Sequence, residues 1–204
     1  MITAPATHRR SRGRPREFDI DAALDAAIPV FQARGYEGAS LAQLCAAMKL
    51  TPGSVYKAFP DKRAVFLAAF DRYAGLSHAE LRARLDDRLN GLERVRTVLT
   101  AYAEKAQAPE GRAGCLVTRS ALDLAVCDAE MAEKIAAAMG RLEAMLRDEI
   151  RLGQTDGSIP AELDPDAAAL TLLCVVQGFR VVGKTGRSRP DMMACVVQAM
   201  KTLA

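Results

Sequence analysis

The sequence predicts an all-α fold in which a three-helix N-terminal head joins a larger helical domain. Three observations lead there. Half of the 204 residues are apolar, alanine and leucine dominate and tryptophan is absent, a composition that favours helix over strand. Apolar residues recur at i, i+3, i+4 and i+7 along most of the chain, and many of these runs open on Asp, Asn, Ser or Thr. No alternating apolar–polar run of useful length occurs, so no sheet is expected.

Residues 1–16, MITAPATHRRSRGRPR, hold five arginines and no acid. With Pro, Gly and Ser between them they are expected to form a disordered basic arm. The Arg12-Gly13-Arg14-Pro15 run resembles an AT-hook core, which lays arginines along a narrow minor groove. Taken alone, a solubilising tail accounts for it equally well. Asp19 is placed to cap a first helix reaching about Arg34, with Leu24, Ala27, Ile28 and Phe31 on one face and Gly35 at its end. Pro29 inside that helix removes one backbone bond and predicts a kink.

Ser40 and Gln43 form a capping box, after which Leu41, Leu44, Cys45 and Met48 make one apolar stripe. Lys49 and Leu50 turn the chain. Thr51 caps the next helix and Pro52 takes its first position, where a missing N–H costs nothing. Val55 and Phe59 point inward, which leaves Gly53, Ser54, Tyr56 and Lys57 outside. Pro60 stops this helix and Asp61 caps a fourth, carrying Val65, Phe66, Ala69, Phe70 and Tyr73. Such a head is too small to be safely stable alone and is expected to lean on the fourth helix.

Gly75 predicts an end or bend there, followed by a separate charged segment, Ala79 to Leu89. Leu92, Val95, Val98, Leu99 and Tyr102 define a fifth helix, closed by a loop from Ala108 to Gly114. Cys115 to Val126 and Ala129 to Leu152 predict two more, the second striped by Ile135, Met139, Leu142, Met145, Leu146 and Ile150. A turn-rich loop spans Gln154 to Pro165. Ala167 to Val182 is apolar nearly all round, which predicts burial on several sides. Pro190 opens a last helix with Met193, Val196, Val197, Met200 and Leu203.

Two short helices with a tight turn and an outward face of low bulk have the pattern of a helix-turn-helix; an ordinary helical hairpin is the plainer alternative. Gly53 and Ser54 let backbone approach a groove wall, and Tyr56 and Lys57 offer donors to phosphates or base edges. Beyond that physical reading, LCAAMKLTPGSVYKAFPDKRAVF resembles the DNA-binding signature of the tetracycline-repressor (TetR) family, with Gly53, Tyr56, Phe59 and Lys62 filling its Gly-x-x-Tyr-x-x-Phe-x-x-Lys run. Two positions depart from that pattern. Lys49 replaces a turn glycine, which predicts a non-glycine residue in the left-handed region. Ala58 stands where many members carry histidine or another polar residue.

The resemblance implies a homodimeric transcriptional regulator, a repressor released by a small effector and bound to a palindromic double-stranded DNA operator. Thr51, Ser40, Tyr56, Lys57 and Lys62 would hold phosphates, and Pro52, Gly53 and Ser54 would approach bases. Residues 17–62 would form the DNA-binding domain and residues 63–204 the ligand-binding and dimerisation domain, with 167–203 forming the interface. Within that domain the aromatic and methionine residues exceed what a bundle stripe needs. Phe70, Tyr73, Tyr102, Met139, Leu142 and Cys174 are candidate effector contacts, although core packing explains each singly. Cys115 joins them. It opens a helix, where backbone N–H groups favour a thiolate, and Arg112 and Arg119 are near in sequence. Some TetR-like regulators with a similar Gly-Cys-Leu segment respond to electrophiles or oxidants, while a small buried hydrophobe is the plainer role.

The charge agrees with a nucleic-acid partner. Residues 1–62 hold nine Lys and Arg against six Asp and Glu, and the remainder nineteen of each, so the whole excess of +3 lies with the head. Five scattered cysteines without C-x-x-C pairs or histidine neighbours argue against a zinc site or disulfide framework. No signal peptide is expected before residue 20, and no apolar run of the ~20 residues that span a bilayer. A cytoplasmic protein without membrane contact follows. No motif asks for a cofactor or a metal. Gly178 to Thr185 fits the Walker A expression letter by letter, but Phe179, Val181 and Val182 are too bulky for a phosphate cradle, and Gly186 and Pro190 deny the helix that must follow. A P-loop hydrolase and a helical protein-binding adaptor are the rival functions.

Overall fold

A computed structural model describes residues 18–107 and 114–204. Among them the regular structure is entirely helical, with no strand. Helix α1 (Ile20–Gly38) opens on Asp19, whose carboxylate accepts from the backbone N–H of Asp21 and Ala22. Its helical backbone breaks at Gly35 (φ 71, ψ 179), not at Pro29, which stays inside the helix. Positive φ suits glycine, and a Cβ there would stand 2.8 Å from Arg119 Nε, so the guanidinium would have to move aside.

Helices α2 (Leu41–Met48) and α3 (Pro52–Ala58) follow the sequence closely. Ser40 Oγ accepts from Gln43 N at 3.2 Å while Gln43 Oε1 accepts from Ser40 N at 3.1 Å. Lys49 lies at φ 54, ψ 40, left-handed as expected. Leu44, Cys45, Met48, Val55 and Phe59 are buried, and Leu41 sits half-buried at the edge of the stripe.

Helix α4 (Lys62–Ala83) runs unbroken through Gly75 and takes in Ala79 to Ala83, so the expected end or bend and the separate segment from Ala79 do not occur. Gly75 is exposed in open space. A glycine there costs about 1 kcal/mol against alanine, too little to break a helix anchored by Phe70 and Ala74 before it and Leu81 after it. Helices α5 (Gly91–Lys105), α6 (Leu116–Asp123) and α7 (Ala129–Asp156) come next. The last continues a turn beyond the expected Leu152 and stops where Gly157 turns left-handed. Helices α8 (Pro165–Val182) and α9 (Arg189–Met200) complete the chain, with 3₁₀ turns at Gly183–Thr185 and Lys201–Leu203.

The core lies in two clusters. One gathers α1, α2, α3 and the first half of α4 with Leu116, Leu124, Met131 and Ile135, so the head leans on α6 and the start of α7 as well as on α4. The other joins α5, α7, α8 and α9 with Leu81 of α4. Helix α4 therefore passes from one cluster into the other. Arg72 reinforces the first by gripping both oxygens of Asp25 at 2.6 Å and reaching Asp21 at 3.0 Å.

The apolar run of α8 is only half covered. Ala169, Leu172, Val176 and Phe179 are buried, whereas Leu170, Cys174, Val181 and Val182 are exposed, as is Val197 of α9. Burial on several sides does not hold within one chain. The expectation about apolar runs is also corrected: Pro165–Thr185, at 21 residues, is long and apolar enough to cross a bilayer. Its inner face packs into the second cluster instead.

Candidate nucleic-acid interface and ligand cavity

Two sites emerge, one on α3 and one beneath it in the helical body. Helix α3 is held from below by Val55 (1% exposed) and Phe59, and its other face is open. Thr51, Pro52, Gly53, Tyr56 and Lys57 are exposed, with Tyr56 at 52%. Thr51 Oγ1 accepts from Ser54 N at 3.2 Å and shares a hydrogen bond with Ser54 Oγ at 3.1 Å, which locks the first turn. Nothing beyond Thr51 Oγ1 at 3.9 Å approaches the place a Gly53 Cβ would take. Ser40 is exposed beside this face, at the start of α2.

Lys62 is elsewhere. Its ammonium donates to the carbonyls of Tyr36 (2.9 Å) and Ala39 (3.2 Å) and lies 4.4 Å from the Tyr36 ring centroid. It therefore clamps the end of α1 to the start of α4, while the residue as a whole remains half-buried. Arg12 and Arg14 fall outside the described residues, as do Arg112 and most of the loop before Gly114.

Between α4, α5, α6, α7 and α8 lies a cavity of about 50 Å³. Of the seven candidate effector residues, Tyr73, Tyr102, Cys115, Met139 and Leu142 line it. Phe70 does not; it is buried in the head cluster, where the α4 stripe turns toward α1. Cys174 does not either, because its position on α8 faces outward. A wider cleft of about 500 Å³ adjoins, sharing Tyr73, Ser77 and Arg180 and bounded by Gln32, Glu80, Arg84, Glu104 and Lys105.

Cavity residues outside the seven effector candidates include Ser77, His78 and Arg141, and also Gln177 and Arg180, whose segment Gln177 to Arg180 resembles the family's dimer helix. Arg180 had a signal: it is the sole charged residue between Asp166 and Lys184. It is buried, with its guanidinium 5.0 Å from the Tyr102 ring centroid. Burial pushes the Tyr102 phenol up to about 12, and raises Tyr73 as well. Burial also acts to raise the Cys115 thiol, but the charge of Arg180 and hydrogen bonds from Thr118 and Tyr73 outweigh it, leaving the thiol below its ordinary value. Burial, then Arg82 and Arg141, hold His78 below the usual imidazole range.

The cavity wall is fastened to the head. Gln32 Nε2 of α1 donates to the Gly114 carbonyl at 2.9 Å, and Arg119 of α6 reaches back to the carbonyls of Gln32 and Ala33. The Walker A letters are not a phosphate site. Gly178 to Val182 belong to α8 and Gly183 to Thr185 to the 3₁₀ turn that continues it, so no strand, cradle and helix follow one another. Among the described residues no His, Cys, Asp and Glu cluster could hold a metal ion.

Comparison with known proteins accounts for both halves of this architecture. Residues 23–69 match the family described as bacterial regulatory proteins, tetR family. Residues 91–199 match the tetracyclin repressor-like, C-terminal domain. The HTH-type transcriptional repressor ComR of Escherichia coli (strain K12) is 30% identical over 186 residues, spanning 91% of this chain and 89% of that protein. A cysteine mutant of the TetR family transcriptional regulator CifR, solved with 26-bp double-strand operator DNA, has a TM-score of 0.82 at 34% identity, covering 92% of this chain and 98% of that one. The reduced form of E. coli NemR has a TM-score of 0.79 but 19% identity, covering 91% and 98%, and so shares the fold. With an open-faced α3 on its head and both halves of its length matched, the chain belongs to the TetR family of DNA-binding transcriptional regulators.

Proposed function

We propose that this protein is a cytoplasmic, homodimeric repressor that binds a palindromic operator and is released by a small molecule held in the α4–α8 cavity. The observation that carries the proposal is the division of α3 into two faces. Val55 and Phe59 anchor it, while Thr51, Pro52, Gly53, Tyr56 and Lys57 are exposed. Pro52, Gly53 and Ser54 would approach bases, with Thr51, Ser40, Tyr56 and Lys57 on phosphates. ComR is a repressor and CifR was solved on operator DNA, which supports the same role here. Residues 17–62 would act as the DNA-reading domain and 63–204 as the effector and dimer domain.

Dimerisation is assigned to the exposed apolar face of α8 and α9, where Leu170, Val181, Val182 and Val197 would meet their symmetry mates. An effector that favours one dimer geometry would shift the spacing of the two heads. Helix α4 and the α1–α6 contacts at Gln32 and Arg119 offer the mechanical link. The arm of residues 1–16 would add Arg12 and Arg14 in the minor groove. Gly53→Leu tests the α3 assignment. The space over Gly53 is open, so the fold should survive, yet the added bulk should prevent groove docking. A folded Gly53→Leu protein that retains wild-type affinity for its selected DNA would exclude α3 as the reading helix.

A further inference from the structure

Arg180 is the anomaly in the helical body. It is 8% exposed and its Nε has no hydrogen-bond partner among the described residues. The other arginines with a buried Nε are placed against carboxylates: Arg94 lies 2.7 Å from Glu149, Arg147 2.5 Å from Asp166 and Arg119 3.3 Å from Asp123. No described carboxylate lies within ion-pair distance of Arg180; the Cys115 thiol, whose ionised form it favours, is the acidic group set in its field, and a buried guanidinium with so little counter-charge is costly to keep. The Tyr102 ring beneath it offsets only part of that cost.

The carboxylates bordering the adjoining cleft are already committed. Glu80 pairs with Lys105 and Arg84, and Glu104 with Arg84 and Arg189. The inner cavity is lined by Arg141 and Arg180 with no carboxylate at all. Among the described residues Arg180 borders four cavities in this region. Beside it Gln177 Oε1 accepts from Thr118 Oγ1 at 2.8 Å, which fixes that amide at the cavity wall.

We infer that the effector is a small organic acid, its carboxylate seated on the Arg180 guanidinium and its apolar body lying against Tyr102, Met139 and Leu142. A planar fork of N–H donors matches a carboxylate in two-point fashion, and a desolvated site strengthens the pair. The inner cavity, about 50 Å³, is smaller than a ring, so a ring-sized body would extend through Tyr73, Ser77 and Arg180 into the adjoining cleft of about 500 Å³. This inference rests on the proposed effector role of the cavity and names the chemistry that role would recognise.

The test uses the full chain with two probe sets: phenylalkanoates from benzoate to 4-phenylbutyrate, and their primary amides. Thermal melting and calorimetry are run on wild type and on Arg180→Met, and wild-type binding to selected DNA is measured in parallel. At least one acid should raise the wild-type melting temperature by several degrees while its amide does not. Arg180→Met should lose that protection, and without ligand it should melt at or above the wild-type temperature, because an uncompensated buried charge is gone. Amides that protect as well as acids, no protection by any acid at millimolar concentration, or an Arg180→Met protein that keeps the protection or melts well below wild type would each overturn the inference. Wild type that binds DNA but ignores the acids defeats this inference alone. Acid protection lost in Arg180→Met, in a wild type that selects no DNA, keeps the site and defeats the regulatory role.

Discussion

At the residue scale, neighbouring side chains on α3 and α4 divide between holding the head and standing on its exposed surface. Phe59 is buried, so Phe59→Ala should cost about 3–5 kcal/mol and unfold the head, as read by thermal or denaturant melting. Tyr56 is 52% exposed, so Tyr56→Ala should leave melting unchanged and lower DNA affinity alone. Lys62 belongs with the first kind. Its two carbonyl acceptors would lose their partner in Lys62→Ala, at a cost of about 1–3 kcal/mol. Lys49 stands left-handed where glycine fits better, so Lys49→Gly should stabilise by about 0.5–1 kcal/mol. The sequence made the caps and the Lys49 geometry legible, because local hydrogen bonding and φ preference decide them. It did not show the structural hold of Lys62, because a lysine after a turn gives no sign of carbonyls contributed from Tyr36 and Ala39. It set Arg180 in a segment resembling a dimer helix and not in the cavity, because a charged residue in an apolar helix becomes informative only when its surroundings are known to lack a carboxylate.

At the scale of elements, two contacts decide how helices seat. Gly91 opens α5 against α7 so closely that a Cβ would stand 2.1 Å from Gly153 N and 2.5 Å from the Glu149 carbonyl. Its own N–H donates to Asp156 Oδ2 at 2.7 Å. Backbone cannot yield as a side chain can, so Gly91→Ala should cost at least about 1–3 kcal/mol in thermal unfolding. The α1–α4 clamp carries a pH signature. The Arg72 hydrogen bonds, against slight burial, hold the Asp25 carboxyl below its ordinary value. A lowered folded-state value means stability that is present above the ordinary aspartate range and lost as pH falls through the lowered one. Wild type should therefore out-melt Asp25→Asn at neutral pH, by a small and salt-sensitive margin at this exposed pair, and the two should converge in acid. Helix number and order were legible from stripes and caps. The continuity of α4 was not, because a glycine weakens a helix locally while Phe70, Ala74 and Leu81 hold it from outside.

At the scale of the whole molecule, the all-helical architecture followed from composition and periodicity, and the head from one capped pair of helices. The exposed side of α8 was less legible, since an apolar run reads as buried whether its own chain or a second copy covers it. Placing charge there separates the cases: Val181→Glu or Val197→Glu should give monomers or aggregates in sedimentation, whereas two variants that stay dimeric would move the interface elsewhere. The central claim is that two copies of α3 read double-stranded DNA with two-fold symmetry. Selection of bound sequences from random double-stranded DNA tests it most directly. The account predicts enrichment of a palindrome whose half-site centres lie about one helical turn, or a multiple of it, apart, and loss of that enrichment in Gly53→Leu. An unenriched pool, or a single asymmetric site indifferent to Gly53→Leu, would contradict it.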